Sequence, residues 1–371
     1  MTASASILQA QITARIQAEG PITLAAFMQA ALYDPQHGYY ASNAPRVGAS
    51  GDFITNVSVG PLFGTLVARQ LHEMWSACGQ PNHWSLVEQG AYDGRLMLDI
   101  LTALQTHHAD LHSVLKVILV EPLSTLQSRQ KQTLQQLPNI VWKTQLSDLA
   151  PWSGVHLSNE LPDAFPIRRF RWSGEWTEDR VTSADGEFTF TSQPLDNTAL
   201  ALLRDVPPPP VHRVVELAPD LEPWTQGILE RLESGYVLAF DYGLVEAEWN
   251  QAHRANGTLR SYKNHQHANN PLAHPGHQDI TAHVDFSRWS TLLQRHGATQ
   301  VHITDQHRFC TGVAPLHFPD LIRSMSVAEQ RELLQFRSLA HPSIFGGAFR
   351  VLAAAKSAPS PNTLSGFRFP L

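Results

Sequence analysis

The chain has 371 residues, a formal net charge of -6, and 43% hydrophobic and 16% charged residues. This composition is typical of a globular protein, and the length suits one large domain with insertions or two domains. The negative balance gives neither the basic surface expected of a nucleic-acid-binding protein nor a polybasic face for anionic lipid, and no apolar run is long enough to span a bilayer.

The N-terminal region lacks a basic stretch followed by an apolar core, so we expect no secretory signal, and its single arginine is too few for a transit peptide. The two cysteines, Cys78 and Cys310, lie in separate segments. We expect them to be free thiols in a reducing compartment. The sequence therefore predicts a cytoplasmic protein.

The first part of the chain predicts two helices and a long irregular segment. Apolar residues recur on one helical face from Ile7 to Ala18, and Thr23 can cap a second helix over Leu24 to Leu32. The residues up to a third helix, over Pro61 to Trp75, are rich in glycine, proline and aromatic residues without a period, and such segments are often functional. By pattern alone, Asp52 in this segment is more consistent with a turn residue than with a ligand.

The segment from Trp84 to Leu101 predicts a strand, a tight glycine turn and a helix. Glu88 ends the strand, and Gly90 and Gly94 bracket the turn. Backbone N–H groups at such a helix start can donate to a nucleotide-like ligand, and the carboxylate can accept from a ribose hydroxyl or an amino group. Tyr92 lies where a dinucleotide fingerprint would carry a glycine, so glycines that serve geometry alone are an open alternative.

A second acid follows a second apolar strand. The run from Val114 to Pro122 contains Glu121, 33 positions after Glu88. That separation is typical of one βαβ unit, in which an acid at the end of the neighbouring parallel strand can bind ribose hydroxyls. The two acids together favour ligand binding, and the alternative for Glu121 is a solvated residue at a strand end.

Two further short strands, predicted within Asn139 to Leu149 and over Gly154 to Leu157, alternate with helices. This alternation indicates a mostly parallel sheet with helices on both faces. Polar residues accompany these two strands: Asp148, Asn159, Glu160 and Asp163.

The region from Ile167 to Pro194 changes character and predicts two or three antiparallel strands inserted into the α/β unit. Four prolines, Pro207 to Pro210, indicate a stiff linker. The later predicted elements are strands at 211–219, 236–243, 301–310 and 348–356, and helices at 221–232 and 328–338.

Seven phrases in this order resemble the MidA-like proteins, a family that includes the mitochondrial complex I assembly arginine methyltransferase. They are YDPQHGYY, GDFIT, PLFG, NELPDAFP, DYG, GTLRSY and PGHQDITAHVDF, and they run from about Leu32 to Phe286. The resemblance implies a class I S-adenosylmethionine (SAM) methyltransferase with a Rossmann-like, seven-stranded sheet whose last strand is antiparallel. It divides the chain into an N-terminal helical segment with a cofactor-covering loop (1–60), a SAM-binding core (61–166), a β-rich insert (167–212), and the rest of the core with a substrate-side loop at 257–286 (213–371).

Two departures from the family pattern are visible. The family's glycine loop reads E-L-G-P-G-R-G, and here Tyr92 replaces its middle glycine. Pro162 alters the loop in which the family reads N-E-F-F-D-A-L-P, although the acids Glu160 and Asp163 are kept. A substrate that differs from that of other members is consistent with both changes.

The resemblance also assigns roles to individual residues. It implies that Glu160 and Asp163 hold the methyl acceptor, because carboxylates pair with a guanidinium in a directional, bidentate way. His265 is a candidate base for the acceptor, since the pKa of an unperturbed histidine lies near neutrality. The residues it assigns to SAM are Glu88, Gly90, Gly94, Glu121 and Asn159, with Gly51, Asp52 and Thr55 covering the cofactor and Asp148 near the adenine.

Histidines cluster at positions 265, 267, 274, 277 and 283, near Asp279 and Asp285. Such a group can bind a metal, but none of its spacings matches H-E-x-x-H and the segment is rich in proline and asparagine, so we predict no metal there. Three functions are consistent with the sequence. The first is a SAM-dependent methyltransferase that acts on protein, with arginine as a candidate acceptor; the second is one that acts on a small molecule; the third is a non-catalytic assembly factor that retains the fold. The acids favour catalysis, and the aromatic insert is compatible with a protein partner, a lid or a homodimer.

Overall fold

The computed structural model describes residues 3–41, 55–209, 212–263, 266–268, 270–317, 326–369 and 371. The chain forms two compact units. The core unit comprises Thr55–Leu161, Trp224–Leu244 and Val284–Leu371, and the insert unit comprises Met1–Ile54, Pro162–Pro223 and Val245–His283. No helix among the described residues combines the length and apolar character that crossing a membrane requires.

The strands described are β1 (Ile22–Thr23), β2 (Trp84–Gln89), β3 (Leu115–Val120), β4 (Ile140–Lys143), β5 (Trp152–Asn159), β6 (Arg168–Trp172), β7 (Trp176–Ala184), β8 (Glu187–Gln193), β9 (Arg213–Leu217), β10 (Leu232–Leu244), β11 (Arg260–Lys263), β12 (Gln266–Ala268), β13 (Asp279–Thr281), β14 (Val284–Asp285), β15 (Gln300–Asp305) and β16 (Phe349–Lys356).

The helices described are α1 (Ala3–Glu19), α2 (Leu24–Tyr33), α3 (Leu62–Ala77), α4 (Arg95–His107), α5 (Ala109–Val114), α6 (Ser124–Thr133), α7 (Asn197–Leu202), α8 (Leu221–Arg231), α9 (Glu246–Trp249), α10 (Phe286–Arg295), α11 (Gln306–His317) and α12 (Val327–Ala340).

The core unit is built on one large sheet with the strand order β15-β16-β10-β5-β2-β3-β4. The strands from β10 to β4 are parallel to their neighbours, and β16 is antiparallel to both β10 and β15. The short strand β14 adds to the end of β10. This topology confirms the predicted α/β fold, in which the last strand of the chain is the antiparallel one.

Helices cover both faces of this sheet. On one face, Leu86, Leu119 and Leu157 belong to a buried apolar cluster that includes residues of α3 and α4. On the other face, the His156 ring of β5 lies 5.6 Å from Trp224 of α8, which in turn lies 5.5 Å from Trp289 of α10. The near-continuous burial of β5 and β10 follows from this double cover.

The insert unit contains the predicted antiparallel strands. The strands β1, β6 and β8 each pair with β7, and β9 pairs with β6; β7 and β8 form a hairpin. Helices α1 and α2 supply Leu8, Ile12 and Phe27 to the unit's apolar cluster. Thr23 caps α2 as predicted, because its side chain accepts from the Ala26 N–H at 3.1 Å.

One predicted element is wrong in part. The strand predicted over residues 301–310 ends at Asp305, and α11 begins at the next residue. The Asp305 carboxylate accepts from the Arg308 N–H at 2.7 Å, which is the hydrogen bond of a helix N-cap. The residues beyond position 305 therefore begin a helix and do not extend the strand.

Candidate active site

The strand–turn–helix of the core unit depends on three left-handed backbone positions. Gly90 and Gly94 have φ values of 78° and 81°, and Tyr92 between them has a φ of 47°. Glycine adopts this region without a Cβ clash. A Cβ at Gly90 would in addition approach Leu161 Cδ1 to 2.9 Å. The glycines are thus required for the turn, whatever ligand it binds.

The two acids lie on the same face of the sheet. Glu88 is paired with Leu119 in the parallel β2–β3 ladder, so both side chains project to one face. Glu121 is two residues beyond Leu119 and therefore shares that face. By the same count from Leu157, which is also paired with Glu88, Asn159 projects there too. The strand ends thus gather these polar residues at the carboxyl edge of the parallel strands, where α/β sheets bind ligands.

Glu88 is a buried acid with an unused oxygen. Its side chain is 2% exposed, and its Oε2 atom has no hydrogen-bond partner among the described residues. Burial, and to a smaller extent the charge of Asp93, raises the pKa of this carboxyl to about 8. A buried carboxyl without a partner is costly once ionised, so this group is suited to a ligand that brings a positive charge.

Glu121 is buried but held by hydrogen bonds. Its Oε1 atom accepts from the Leu123 N–H at 2.9 Å, and its Oε2 atom accepts from Gln130 Nε2 at 3.2 Å. Burial raises its pKa to about 7, and these two hydrogen bonds oppose the rise. The carboxylate is thereby fixed in orientation at the end of β3.

Gln130, on α6, connects the parts of this site, and the sequence did not reveal it. Its Nε2 atom donates to the Tyr92 carbonyl at 3.2 Å as well as to Glu121, and its Oε1 atom accepts from Trp142 Nε1 at 3.1 Å. The side chain is fully buried. It therefore ties the glycine turn to the acid of the next strand.

Tyr92 adopts a left-handed backbone conformation, in which glycine is the usual residue. Its half-buried ring lies beside α6, with the Arg129 guanidinium carbon 6.0 Å from the ring centroid. The left-handed backbone of a non-glycine residue costs roughly 1 kcal/mol. Tyr92 thus takes part in the turn at a cost in strain.

A chain of amides leads to Glu160, the residue after β5. Asn56 Nδ2 donates to Asn159 Oδ1 at 2.9 Å, and Asn159 Nδ2 donates to Glu160 Oε1 at 3.1 Å. Glu160 has a φ of 52°, and its N–H donates to the Phe240 carbonyl at 2.9 Å. A non-glycine residue held in this strained region is often part of a functional site. Asn56 is fully buried and is a second residue that the sequence analysis missed.

Two residues assigned to the cofactor have local structural contacts. Thr55 is buried and closes a turn with Ser58, whose N–H donates to Thr55 Oγ1 at 3.3 Å and whose hydroxyl donates to the Thr55 carbonyl at 2.7 Å. Asp148 is exposed, and its carboxylate accepts from the Gln145 backbone and side chain, both at 3.2 Å. Neither set of contacts involves Glu88 or Glu121, so the assigned roles stay predictions.

Asp163 belongs to the insert unit. It is 6% exposed, and burial together with the charge of Asp279 raises its pKa to about 8. The Tyr40 hydroxyl donates to Asp279 Oδ1 at 3.1 Å. Three of the phrases that resemble the family therefore converge on one buried group of acids and a tyrosine.

Three predicted site residues, Gly51, Asp52 and His265, lie outside the described residues. In the histidine-rich segment, His274 and His277 form a turn in which the His277 N–H donates to the His274 carbonyl at 3.0 Å. The backbone N–H of His283 donates to Thr258 Oγ1 at 2.9 Å. The structure therefore gives these three residues local roles.

Comparison with known families identifies the chain. The family model described as "Putative S-adenosyl-L-methionine-dependent methyltransferase" matches residues 66–304, which is more than half of the chain. This range includes the glycine turn and both buried acids.

Curated relatives cover most of the chain. A Caenorhabditis elegans protein named protein arginine methyltransferase NDUFAF7 homolog, mitochondrial, is 30% identical over 76% of this chain and 70% of its own length. The Drosophila melanogaster protein of the same name is 28% identical over 93% of this chain and 84% of its own length. The human protein arginine methyltransferase NDUFAF7, mitochondrial, is 28% identical over 91% and 81%.

These names overturn the predicted cytoplasmic location, because each of the three relatives is named as mitochondrial. The prediction relied on free thiols, which indicate a reducing environment and do not distinguish one reducing compartment from another. The cytoplasmic assignment was wrong.

Two solved structures share the whole architecture. A Burkholderia thailandensis protein crystallised with S-adenosyl-homocysteine superposes with a TM-score of 0.86 at 27% identity, covering 99% of this chain and 96% of that one. A native crystal structure from the same organism gives a TM-score of 0.84 at 28% identity, with the same coverage.

The residues at the sheet edge fit SAM. The ligand carries ribose hydroxyls that a fixed carboxylate such as Glu121 can accept from, and positive charge that the unpartnered Glu88 Oε2 can neutralise. The family model and a neighbour bound to S-adenosyl-homocysteine agree on this cofactor. The chain belongs to this family of S-adenosyl-L-methionine-dependent methyltransferases.

Proposed function

We propose that the protein transfers the methyl group of SAM to an arginine side chain of another protein. The observation that carries this proposal is Glu160, an acid kept in a strained conformation directly after β5, with its side chain held by Asn159. Relatives named as protein arginine methyltransferases support the same acceptor.

For the cofactor, we propose that Glu121 accepts from the ribose and that Glu88 faces the ammonium group at the amino-acid end. Gly90 and Gly94 let the backbone of the turn approach the ligand closely. SAM supplies an activated methyl carbon on a positively charged sulfur, so the protein has mainly to align the acceptor and exclude water. We further propose that Gly51, Asp52 and Thr55 cover the bound cofactor.

For the acceptor, we propose that Glu160 accepts hydrogen bonds from the guanidinium and holds its plane in one orientation. Acid–guanidinium pairs provide direction as well as attraction. The Asn56–Asn159 pair positions this carboxylate through the 2.9 Å and 3.1 Å hydrogen bonds. Asp163 and His265 stay proposed participants, and the oligomeric state and the absence of nucleic-acid binding stay predictions.

The variant Glu160→Gln tests the acceptor assignment. It keeps the size of the side chain but removes its charge, so we expect methyl transfer to fall by about 100-fold or more. Because Glu160 is proposed to bind the acceptor and not the cofactor, SAM affinity measured by calorimetry should stay within about threefold of the wild type. In the assay, the protein is incubated with labelled SAM and an extract of cells that lack this methyltransferase. Labelled methylarginine is measured after the extract proteins are hydrolysed.

Glu233→Gln is the matched control, since Glu233 is exposed near the start of β10, at the amino end of the parallel strands. This variant should transfer methyl groups at the wild-type rate. Unchanged transfer by Glu160→Gln would refute the acceptor role. Label found on small molecules or other side chains, and not in methylarginine, would refute the proposed substrate.

A further inference from the structure

A cluster of metal-ligating side chains lies in the core unit, apart from every residue proposed for methyl transfer. His72 is on α3, His108 lies between α4 and α5, and Asp110 is in the first turn of α5. The potential ligand atoms of these three residues all lie within 4.8 Å of one another. The packing of the helix layer thus brings together residues that are remote in the sequence.

One distance within the cluster is close to the distance between two ligands of the same metal ion. His72 Nε2 and Asp110 Oδ2 are 3.1 Å apart, close to the separation of about 3.4 Å that two ligands of a tetrahedral zinc ion adopt. The rings of His72 and His108 stack at 4.1 Å with an interplanar angle of 24°. The potential ligand atoms are therefore already close together.

His108 provides an independent observation. Its Nε2 atom is buried and has no hydrogen-bond partner among the described residues. A buried ring nitrogen is normally satisfied, so an unsatisfied one requires an explanation.

The cluster is also open to solvent. The side chains of His72 and Asp110 are 25% and 54% exposed, so an ion and a water ligand can enter. Arg69 is a nearby cation, and its charge would weaken the site. The Arg69 Nε atom donates to His317 Nδ1 at 3.3 Å, so the guanidinium is hydrogen-bonded to a residue outside the cluster.

We propose that His72, His108 and Asp110 bind one Zn²⁺ ion, with water as a further ligand. Two imidazoles and a carboxylate are a ligand set that zinc accepts, and a three-residue site with water leaves an open position. The ion would link α3 to the junction of α4 and α5. The alternative is that these residues form only a His–Asp hydrogen bond and a ring stack in the helix layer.

The test is calorimetric titration of the full-length protein with ZnCl₂, together with the visible spectrum of the Co²⁺-loaded protein. The chain has 19 histidines, so weak background binding is expected as well. We expect one site that saturates well before this background, a Co²⁺ absorption band, and a higher melting temperature with Zn²⁺.

The variants His108→Ala and Asp110→Asn should each weaken Zn²⁺ binding by about tenfold or more and remove the Co²⁺ band. Asp110→Asn changes a half-exposed side chain, so it keeps the test valid if His108→Ala does not fold. His83→Ala, which removes an exposed histidine outside the cluster, should bind as the wild type does. Absence of a saturable site in the wild type, or equal Zn²⁺ affinity in Asp110→Asn and the wild type, would overturn the proposal.

Discussion

Among the residues of the candidate site, Glu88 has the side chain whose protonation should respond most directly to cofactor binding. It has an unpartnered oxygen and a pKa raised to about 8, so most of it is protonated at neutral pH before a ligand arrives. A cation placed next to a carboxyl favours its ionised form. Binding of SAM should therefore expel the proton from this group.

This coupling predicts proton release on binding. At pH 7, calorimetric titrations with SAM in buffers of different ionisation enthalpy should show release of up to about one proton per site. Glu88→Gln has no proton to lose, so the release should fall and SAM affinity should weaken by about tenfold or more. Equal proton release in the wild type and in Glu88→Gln would show that Glu88 does not face the cation.

Some residues of the candidate site could be predicted from the sequence, and others could not. Glu88, Glu121 and the glycines were visible because strand ends and turns have characteristic residue types. Gln130 was not, since a glutamine in a glutamine-rich helix gives no sign that it is buried against Glu121 and Tyr92. Asn56 was missed for the same reason, because its role depends on a hydrogen bond to Asn159, which is remote in the chain.

Among the elements, β5 shows how closely the central strands approach one another. Gly154 has a φ of 153°, and a Cβ there would lie 1.9 Å from the Ser85 carbonyl oxygen of β2. No side chain fits at this point without moving the backbone of the neighbouring strand. The start of β5, and with it the position of Asn159 and Glu160 at its other end, depends on this glycine.

Gly154→Ala should therefore destabilise the protein by roughly 3 kcal/mol or more, measured by denaturant unfolding. Gly227→Ala is the matched control, because Gly227 lies within α8 and no described atom outside the local helix backbone and the neighbouring residues lies within 4 Å of the added Cβ. Alanine is the better helix former, so this variant should be unchanged or more stable by up to about 1 kcal/mol. Equal stability of the two variants would contradict the close approach of β2 and β5.

The elements themselves were largely predictable, but their partners were not. Hydrophobic period and turn residues indicated the parallel strands, the antiparallel insert and the helices α1, α2 and α12. The five-residue strand β9 carries no mark of its partner, and it pairs with β6 in the insert sheet. The end of β15 was misjudged because Asp305, which caps the start of α11, was taken as part of the strand.

At the scale of the whole molecule, buried acids should make stability fall as pH rises. Burial raises the pKa values of Glu88, Glu121 and Asp163 to about 8, 7 and 8, above the ordinary 3.8 to 4.5. The folded protein then holds protons that the unfolded chain releases, and its stability is lost as pH rises through the folded pKa values. The pKa of the buried His156 is lowered to about 3, which affects stability only below the ordinary 6.5.

The melting temperature should accordingly decrease from about pH 6.5 to about pH 8.5, by about 3 °C or more at constant ionic strength. Scanning calorimetry without ligand measures it. In Glu88→Gln the decrease should be smaller, because one of the three groups no longer titrates. A melting temperature that rises across this range would contradict the burial of these acids.

The central claim is that Glu88, the turn from Gly90 to Gly94, and Glu121 together hold SAM at the carboxyl edge of the core sheet. A crystal structure of this protein with S-adenosyl-homocysteine tests it most directly. The account predicts ribose hydroxyls within hydrogen-bond distance of the Glu121 carboxylate and the amino-acid end of the ligand along the glycine turn, beside Glu88. Ligand density elsewhere, or a Tyr92 ring in the place of the ribose, would contradict it.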